Sequence, residues 1–286
     1  MQNCDIKNKI KISDLGNNFS IDLKPEVFEN IKNARLVMTN VSKYLANLNE
    51  TFVKIKNLVK PRIIDAIINF QTNTRIINGH WVVINDELFD LLKTKKSIDE
   101  ISKTIIDFYT EDKYKNLELL FEEIDDLDII PERIPILKSC IKILKKNSQK
   151  NAYNVVLPTL MAQATGIIEE DCYNLLPEKL FPKDENKRKK VLNALEYFNC
   201  DILFYEMFDS AIIDGLFKKI KDNSEYESYK RECGSNRHKI LHGEKEFLDY
   251  GTKENLIRTC LDLYMLCFAK MFLVNATSEI EEDYAK

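Results

Sequence analysis

Hydrophobic residues recur at helical spacing along most of this chain, and the pattern is clearest in its second half. Residues before about Leu23 look irregular, and an amphipathic pattern then opens after Pro25, a residue that helix starts tolerate, and continues with interruptions to Gln71. Further helices are predicted over about residues 133–149, 151–164, 168–177, 184–222 with a break, 235–242 and 253–273. We therefore predict an all-α fold, a multi-helix bundle.

The middle of the chain contains an exception to this pattern and a helix start. Residues 78–86, which include the only tryptophan, are read as a short strand or an ordered loop. Ser97 and Glu100 have the spacing of a capping box, which predicts a helix that runs on to Tyr109.

An acidic run over residues 122–128, which ends near Pro131, is the best candidate for a domain boundary. We read the run as a solvated turn and not as a metal site. It divides the chain into an N-terminal helical accessory region, residues 1–130, and a C-terminal helical domain, residues 131–286.

The last predicted helix is apolar on most of its faces. Such a helix is usually buried, so it is either central in its own bundle or packed in part against a second copy of the chain. Its apolar residues are Leu256, Ile257, Cys260, Leu261, Leu263, Tyr264, Leu266, Cys267, Phe268, Met271 and Phe272.

Charge and composition exclude some classes of protein. A formal net charge of -4 over 286 residues gives no overall basic signature for nucleic-acid binding. Two local basic runs, residues 142–146 and 187–190, are read as exposed helix faces, although such a patch can also guide a polyanion.

The cysteines and the apolar segments indicate the cellular compartment in which we expect the protein. The seven cysteines are scattered without a C-x-x-C pair, which indicates reduced thiols and neither a disulfide framework nor a zinc site. The first residues lack the apolar core of a signal peptide, and the most apolar segment, residues 261–274, is too short and too charged to span a bilayer. We expect a cytoplasmic protein without a membrane partner.

Residues 234–243 hold the best candidate for a chemical site. The chain has 3 histidines and 7 glycines, and two of those histidines lie in this window with two of the glycines. Ser235 is a plausible N-cap, which puts Arg237 and His238 in a first helical turn, where unpaired N–H groups and the helix dipole favour an anion. Arginine suits phosphate oxygens, and histidine can accept and donate protons, so the pattern favours phosphodiester chemistry with attack by an RNA 2′-hydroxyl.

Helix geometry limits how these side chains can cooperate. Arg237 and His242 are five positions apart, which turns them about 140° from each other on a regular helix, whereas His238 and His242 share a face. Acid–base cleavage also needs two titrating groups, and each chain offers few. A two-fold dimer that brings two copies of this segment together would answer both problems.

The segment from Arg237 to His242 resembles the R-polar-x-x-x-H motif of the HEPN superfamily, helical ribonucleases common in bacterial toxin and antiphage systems. Its context, with Asn236 before it and Asp-Tyr-Gly-Thr after it, is similar to that of abortive-infection-type members. The likeness is specific over about residues 232–273 and weaker through residues 133–137 and 157–166. The N-terminal third resembles no family that we identify.

The resemblance implies a C-terminal HEPN-like bundle that dimerises about this helix and cuts RNA without metal or cofactor, leaving a 2′,3′-cyclic phosphate. It implies that Arg237 holds the scissile phosphate, that His242 acts as base or acid, and that His238 supports them, with Asn236 and Ser235 as further supporting residues. Glu244 stands where nucleotidylated toxins of the family carry a tyrosine, so control by that modification is not expected.

The resemblance also implies partners. RNA is the expected substrate, with single-stranded or tRNA-like molecules as the target. A homodimer is the expected assembly, and an antitoxin or sensor protein is a possible further partner. A non-catalytic HEPN module that binds RNA or acts as a scaffold with a partner protein is the alternative.

Two other readings of the histidines are weaker. Residues 75–80 also fit Arg-x4-His but lack the polar second residue and the surrounding context, so we read that match as coincidence. A metal site on His238 and His242 would need an acidic residue where Lys239 stands and a third ligand nearby.

Overall fold

The computed structural model describes residues 8–11, 20–23, 61–146, 150–181, 186–218, 237–242 and 249–284 of the chain. Within these ranges the protein is all-α apart from one small hairpin, so the predicted fold class is confirmed. The helices are α1 Pro61–Asn78, α2 Asp86–Leu92, α3 Ile98–Asp126, α4 Ile134–Lys146, α5 Lys150–Gly166, α6 Lys187–Tyr197, α7 Ile202–Phe208, α8 Arg237–Leu241 and α9 Lys253–Tyr284.

The chain divides into two compact units, residues 1–74 and 75–286. The first holds a hairpin in which β1, Asn8–Lys11, pairs antiparallel with β2, Ser20–Leu23. The prediction of an irregular stretch here was wrong for residues 8–11 and 20–23, because four-residue strands with one or two apolar residues give too short an alternation to stand out. Helix α1 begins at Pro61, a first-turn position at which the missing N–H costs nothing.

The predicted boundary near residue 130 lies inside the second unit. Helices α3 and α4 pack on each other on either side of it, and Lys138 on α4 forms an ion pair with Asp125 on α3 across the turn. The division of the chain into an accessory region, residues 1–130, and a C-terminal domain, residues 131–286, stays a prediction.

The segment over residues 79–85 is an ordered loop, one of the two alternatives that its sequence left open. It carries Trp81, which is 1% exposed and donates from its indole nitrogen to the Ser102 hydroxyl at 2.8 Å. At the end of the loop the Asn85 side chain caps α2 by accepting from the Leu88 N–H at 2.8 Å.

Helix α3 starts as its capping box predicts and then breaks. The Ser97 hydroxyl accepts from the Glu100 N–H, and the Glu100 carboxylate accepts from the Lys96 N–H. Residues 112–114 have φ angles of 45°, 55° and 65°, three consecutive left-handed residues without a glycine. Such runs are costly for L-residues, so the break depends on the packing around it. The Asn116 side chain supports it by donating to the Phe108 carbonyl at 2.9 Å.

Helix α9 is central in its own bundle, the first of the two alternatives for this segment. It packs against α3, α5 and the π-helical turn Ile167–Cys172 that extends α5. Most of its apolar residues between 256 and 267 are less than 2% exposed within the single chain. Residues 256–267 of α9 therefore do not form a dimer surface. A second π-helix, Asp209–Leu216, continues α7.

Candidate functional site

Helix α8 carries the predicted motif and lies against α5. Ile240 is 4% exposed and belongs to the hydrophobic core, so it anchors this short helix. The helix begins at Arg237, and the turn after it contains His242. Ser235, Asn236 and Gly243 and the side chain of His238 lie outside the described residues, so the predicted N-cap, the predicted stop and the supporting histidine stay predictions.

The Arg237 side chain is half-buried and is held by α5. Its Nε donates to the Thr165 hydroxyl at 2.8 Å, and that hydroxyl donates in turn to the Met161 carbonyl one turn earlier. The acceptor is therefore fixed by the α5 backbone. A guanidinium that is oriented in this way loses little freedom when it binds a phosphate.

Arg237 lies near a second arginine, Arg188, and one carboxylate, Glu169. Burial lowers the pKa of its guanidinium, nearby Arg188 lowers it further, and Glu169 opposes both. Glu169 is itself engaged by Arg188, whose Nε donates to it at 2.8 Å, while the Lys187 ammonium donates to the Glu169 carbonyl at 3.2 Å. The Glu169 carboxylate is thus paired with Arg188 and not held by Arg237 alone, so an anion bound at Arg237 would offset the repulsion between the two guanidinium groups.

The lysine and arginine run at the start of α6 is only partly the exposed face that its sequence predicted. Lys187 and Lys189 are exposed, but Arg188 is half-buried, with its guanidinium carbon 4.3 Å from the centre of the Phe217 ring. Lys190 is 1% exposed, and its ammonium lies 5.4 Å from the centre of the Tyr173 ring without a hydrogen-bond partner among the described residues. An unbroken run of cations in the sequence does not show which of its side chains are buried and which are exposed.

His242 is exposed in the turn after α8, beside Leu241, which is 37% exposed. Arg237 and His242 are thus at opposite ends of the helix, one side chain packed on α5 and the other on the outer surface. A single chain keeps the two members of the motif in different surroundings, in agreement with the angle of about 140° between them on a helix.

The Asp-Tyr-Gly-Thr segment after α8 has a structural role that its sequence did not reveal. Pro158 lies inside α5 and has no N–H, so the Asn154 carbonyl loses its ordinary helical donor. The Tyr250 hydroxyl donates to this carbonyl at 2.8 Å. Tyr250 therefore links the segment after the motif to the same helix that orients Arg237.

The end of this segment also starts α9. The Thr252 hydroxyl accepts from the Asn255 N–H at 3.1 Å, and the Asn255 side chain donates to the Tyr250 carbonyl at 2.8 Å. Thr252 is therefore the N-cap of α9, and the Asn255 side chain joins the first turn of the helix to the preceding segment.

Replacing Tyr250 by phenylalanine is expected to lower the free energy of unfolding by about 1–2 kcal/mol, because a helix carbonyl loses this side-chain donor. Urea denaturation of both proteins would measure the difference. The Tyr197→Phe variant is a suitable control, because Tyr197 is 55% exposed. Equal midpoints for the Tyr250→Phe protein and the parent would contradict the assigned role of the hydroxyl.

The second Arg-x4-His match, residues 75–80, has different surroundings. His80 follows α1 in a turn with φ of 52°, and its Nδ1 donates to the Ser210 carbonyl at 2.9 Å. The Ser210 hydroxyl donates to the Ile77 carbonyl at 2.7 Å. These bonds tie the turn to the second π-helix, a structural role that agrees with reading this match as coincidence.

Thr165, Glu169 and Arg188 are site residues that the sequence analysis missed. They lie on α5, its π-helical extension and α6, and only folding brings them to α8.

Over the described ranges, no group of three or more histidine, cysteine, aspartate or glutamate side chains is arranged to hold a metal ion. Searching the same ranges finds no helix that is both long and apolar enough to cross a membrane.

The five cysteines in the described part of the chain are free thiols, and four of them are buried.

Comparison with protein-family models, with curated proteins and with solved structures finds no match to this chain.

Proposed function

We propose that this protein is a metal-independent endoribonuclease of the HEPN type, an effector of bacterial antiphage defence or of a toxin system, that cuts RNA to leave a 2′,3′-cyclic phosphate. The observation that carries the proposal is the half-buried Arg237, which is held by Thr165 and lies near a second arginine, Arg188. A guanidinium in such surroundings gains from binding a phosphate diester.

The proposed chemistry divides the work between two side chains. Arg237 holds the scissile phosphate and stabilises the charge that develops on its oxygens. His242, exposed at the other end of α8, takes the proton of the attacking 2′-hydroxyl or returns one to the leaving 5′-oxygen.

We propose a homodimer as the active form. Because one chain keeps Arg237 and His242 at opposite ends of α8, a complete site needs the histidine of a second copy or a rearrangement of the helix. The exposed Leu241 beside His242 offers an apolar contact for such a copy. Sedimentation velocity would test this part separately: a chain that stays monomeric while it cuts RNA would overturn the dimer.

The direct test is cleavage of RNA by the purified protein in the presence of a chelator. We expect fragments with 2′,3′-cyclic phosphate ends, and we expect His242→Ala to lower the cleavage rate at least about 100-fold because general acid–base help is lost. Urea denaturation of the variant would separate a loss of chemistry from a loss of folding. Unchanged cleavage by His242→Ala, or a strict requirement for a divalent metal, would overturn the proposal.

The second candidate function is a non-catalytic module that binds RNA for a partner protein. The contact between Arg237 and Thr165 also suits this function, because it would fix a phosphate-binding side chain without any acid or base. RNA that is retained but left uncut, with unchanged affinity in His242→Ala, would favour this module over the nuclease.

A further inference from the structure

The left-handed break in α3 forms one wall of a basic cavity that the proposed nuclease site does not use. The cavity has a volume of about 310 Å³, and its lining in the described part of the chain includes four lysines: Lys113, Lys145, Lys146 and Lys253. They come from three separate elements, the break in α3, the end of α4 and the start of α9. Thr110 and the buried Tyr114 also line the cavity.

The positive charge of this cavity is poorly compensated. Lys145 pairs with Glu118 at 2.6 Å. For Lys113, Lys146 and Lys253, no ion pair is found within the ranges that the structure describes. Glu111 and Asp112 are exposed in the same break, but neither lines the cavity.

Ordinary helix electrostatics explains only part of this arrangement. Lysines at the end of α4 are favoured by the negative end of its dipole, so Lys145 and Lys146 alone would need no ligand. The helix dipole does not explain the positions of Lys113 and Lys253. Lys253 is the first residue of α9, where a cation is disfavoured by the dipole, and Lys113 has a φ of 55° that few residues other than glycine adopt.

We propose that this cavity binds a compact polyphosphate anion, either inorganic or the phosphate chain of a nucleotide. Several lysines that line one concave site match closely spaced phosphate charges, and the start of α9 adds the positive end of a long helix dipole. The volume is at the lower end of the range for small-molecule sites.

An RNA strand fits the cavity less well. Strand recognition uses an extended groove and aromatic faces on which bases stack. Among the described residues that line this cavity the aromatic one is Tyr114, which is 2% exposed and has its hydroxyl 2.7 Å from that of Tyr153, so it offers no stacking platform. The proposal is independent of the nuclease activity.

Isothermal titration calorimetry with tripolyphosphate at constant ionic strength would test this site. We expect the full chain to bind one equivalent, and the double variant Lys146→Gln/Lys253→Gln to bind at least about tenfold more weakly because two charges are removed while the length of each side chain is nearly kept. The matched control is Lys142→Gln, an exposed lysine of α4 that does not line the cavity, and it should keep its affinity within about twofold.

Further titrations distinguish the sources of the phosphates and the competing explanations. ATP that binds as tightly as tripolyphosphate, with adenosine inert, would assign recognition to the phosphate chain, and tripolyphosphate alone would identify an inorganic ligand. The proposal is overturned if Lys142→Gln weakens binding as much as the double variant. It is also overturned if neither anion binds, or if only a single-stranded RNA binds in a way that depends on Lys146 and Lys253.

Discussion

Replacing Arg258 by alanine is expected to lower the free energy of unfolding by about 3–5 kcal/mol, because a buried, fully engaged guanidinium is removed. Arg258 is 3% exposed, and its Nη1 donates to the carbonyls of Gly79 and His80 at 2.7 and 3.0 Å. Its guanidinium carbon is 3.7 Å from the centre of the Trp81 ring. The variant would leave two loop carbonyls without this donor and open a cavity beside the tryptophan.

Arg258 also bears on a buried carboxyl one turn later in α9. Burial raises the pKa of Asp262 well above its usual value, and the charge of Arg258 opposes this rise. A carboxyl with a raised pKa in the folded protein stabilises it fully only below the unfolded pKa and loses that contribution as pH rises through the folded value. Asp262 is therefore expected to lower the free energy of unfolding of the parent as pH rises from about 4 to about 7, because the carboxyl ionises in the unfolded chain before it does so in the folded protein.

Urea denaturation followed by circular dichroism would measure both effects, provided that the transition is two-state. Glu254→Gln is the matched control, because Glu254 pairs with Arg258 but is 46% exposed, and it should cost less than about 1 kcal/mol. A loss below 1 kcal/mol for Arg258→Ala would contradict the role given to this residue.

In the proposed nuclease, replacing Arg237 by alanine is expected to lower the rate of RNA cleavage at least about 100-fold, because the developing charge on the phosphate loses its main donor. Arg237→Lys should lose nearly as much, since an ammonium cannot bond Thr165 and grip two phosphate oxygens at once. Single-turnover cleavage of a labelled RNA, with saturating protein and a chelator, would measure the rates.

Two variants make this experiment specific. Arg75→Ala removes the arginine of the second Arg-x4-His match and should cut RNA at the rate of the parent. Thr165→Val removes the acceptor that orients Arg237 while it keeps the side-chain shape, and it should slow cleavage by about tenfold. Equal rates for Arg237→Ala and the parent would overturn the role of this arginine, and loss of cleavage in Arg75→Ala would show that the two matches had been assigned wrongly.

Much of the fold follows from the sequence because burial imposes a helical period. The predicted helices over residues 133–149, 151–164 and 253–273 correspond to α4, α5 and α9, and the capping box of Ser97 and Glu100 starts α3 where expected. Helix ends were less predictable. Helix α3 continues to Asp126 with a break of three left-handed residues. The sequence has no glycine at the break that would predict it.

The candidate site was predictable only in part. Arg237 and His242 belong to one short stretch, so their pattern could be recognised without a structure. The partners of Arg237 are 49 to 72 positions away in the chain, namely Arg188, Glu169 and Thr165, and none of them belongs to a motif. The role of Tyr250 depends on a proline in another helix, so the segment that contains it could be noticed but not explained.

By itself the sequence determined the helical class, most of the helices and the residues of the motif, because each of these depends on spacing within a short stretch. Only the tertiary structure decided which cations are buried, which carbonyl each hydroxyl satisfies and how Arg237 is held. The physical reason is that desolvation and hydrogen-bond pairing depend on groups that are distant in the chain and become neighbours only when the helices pack.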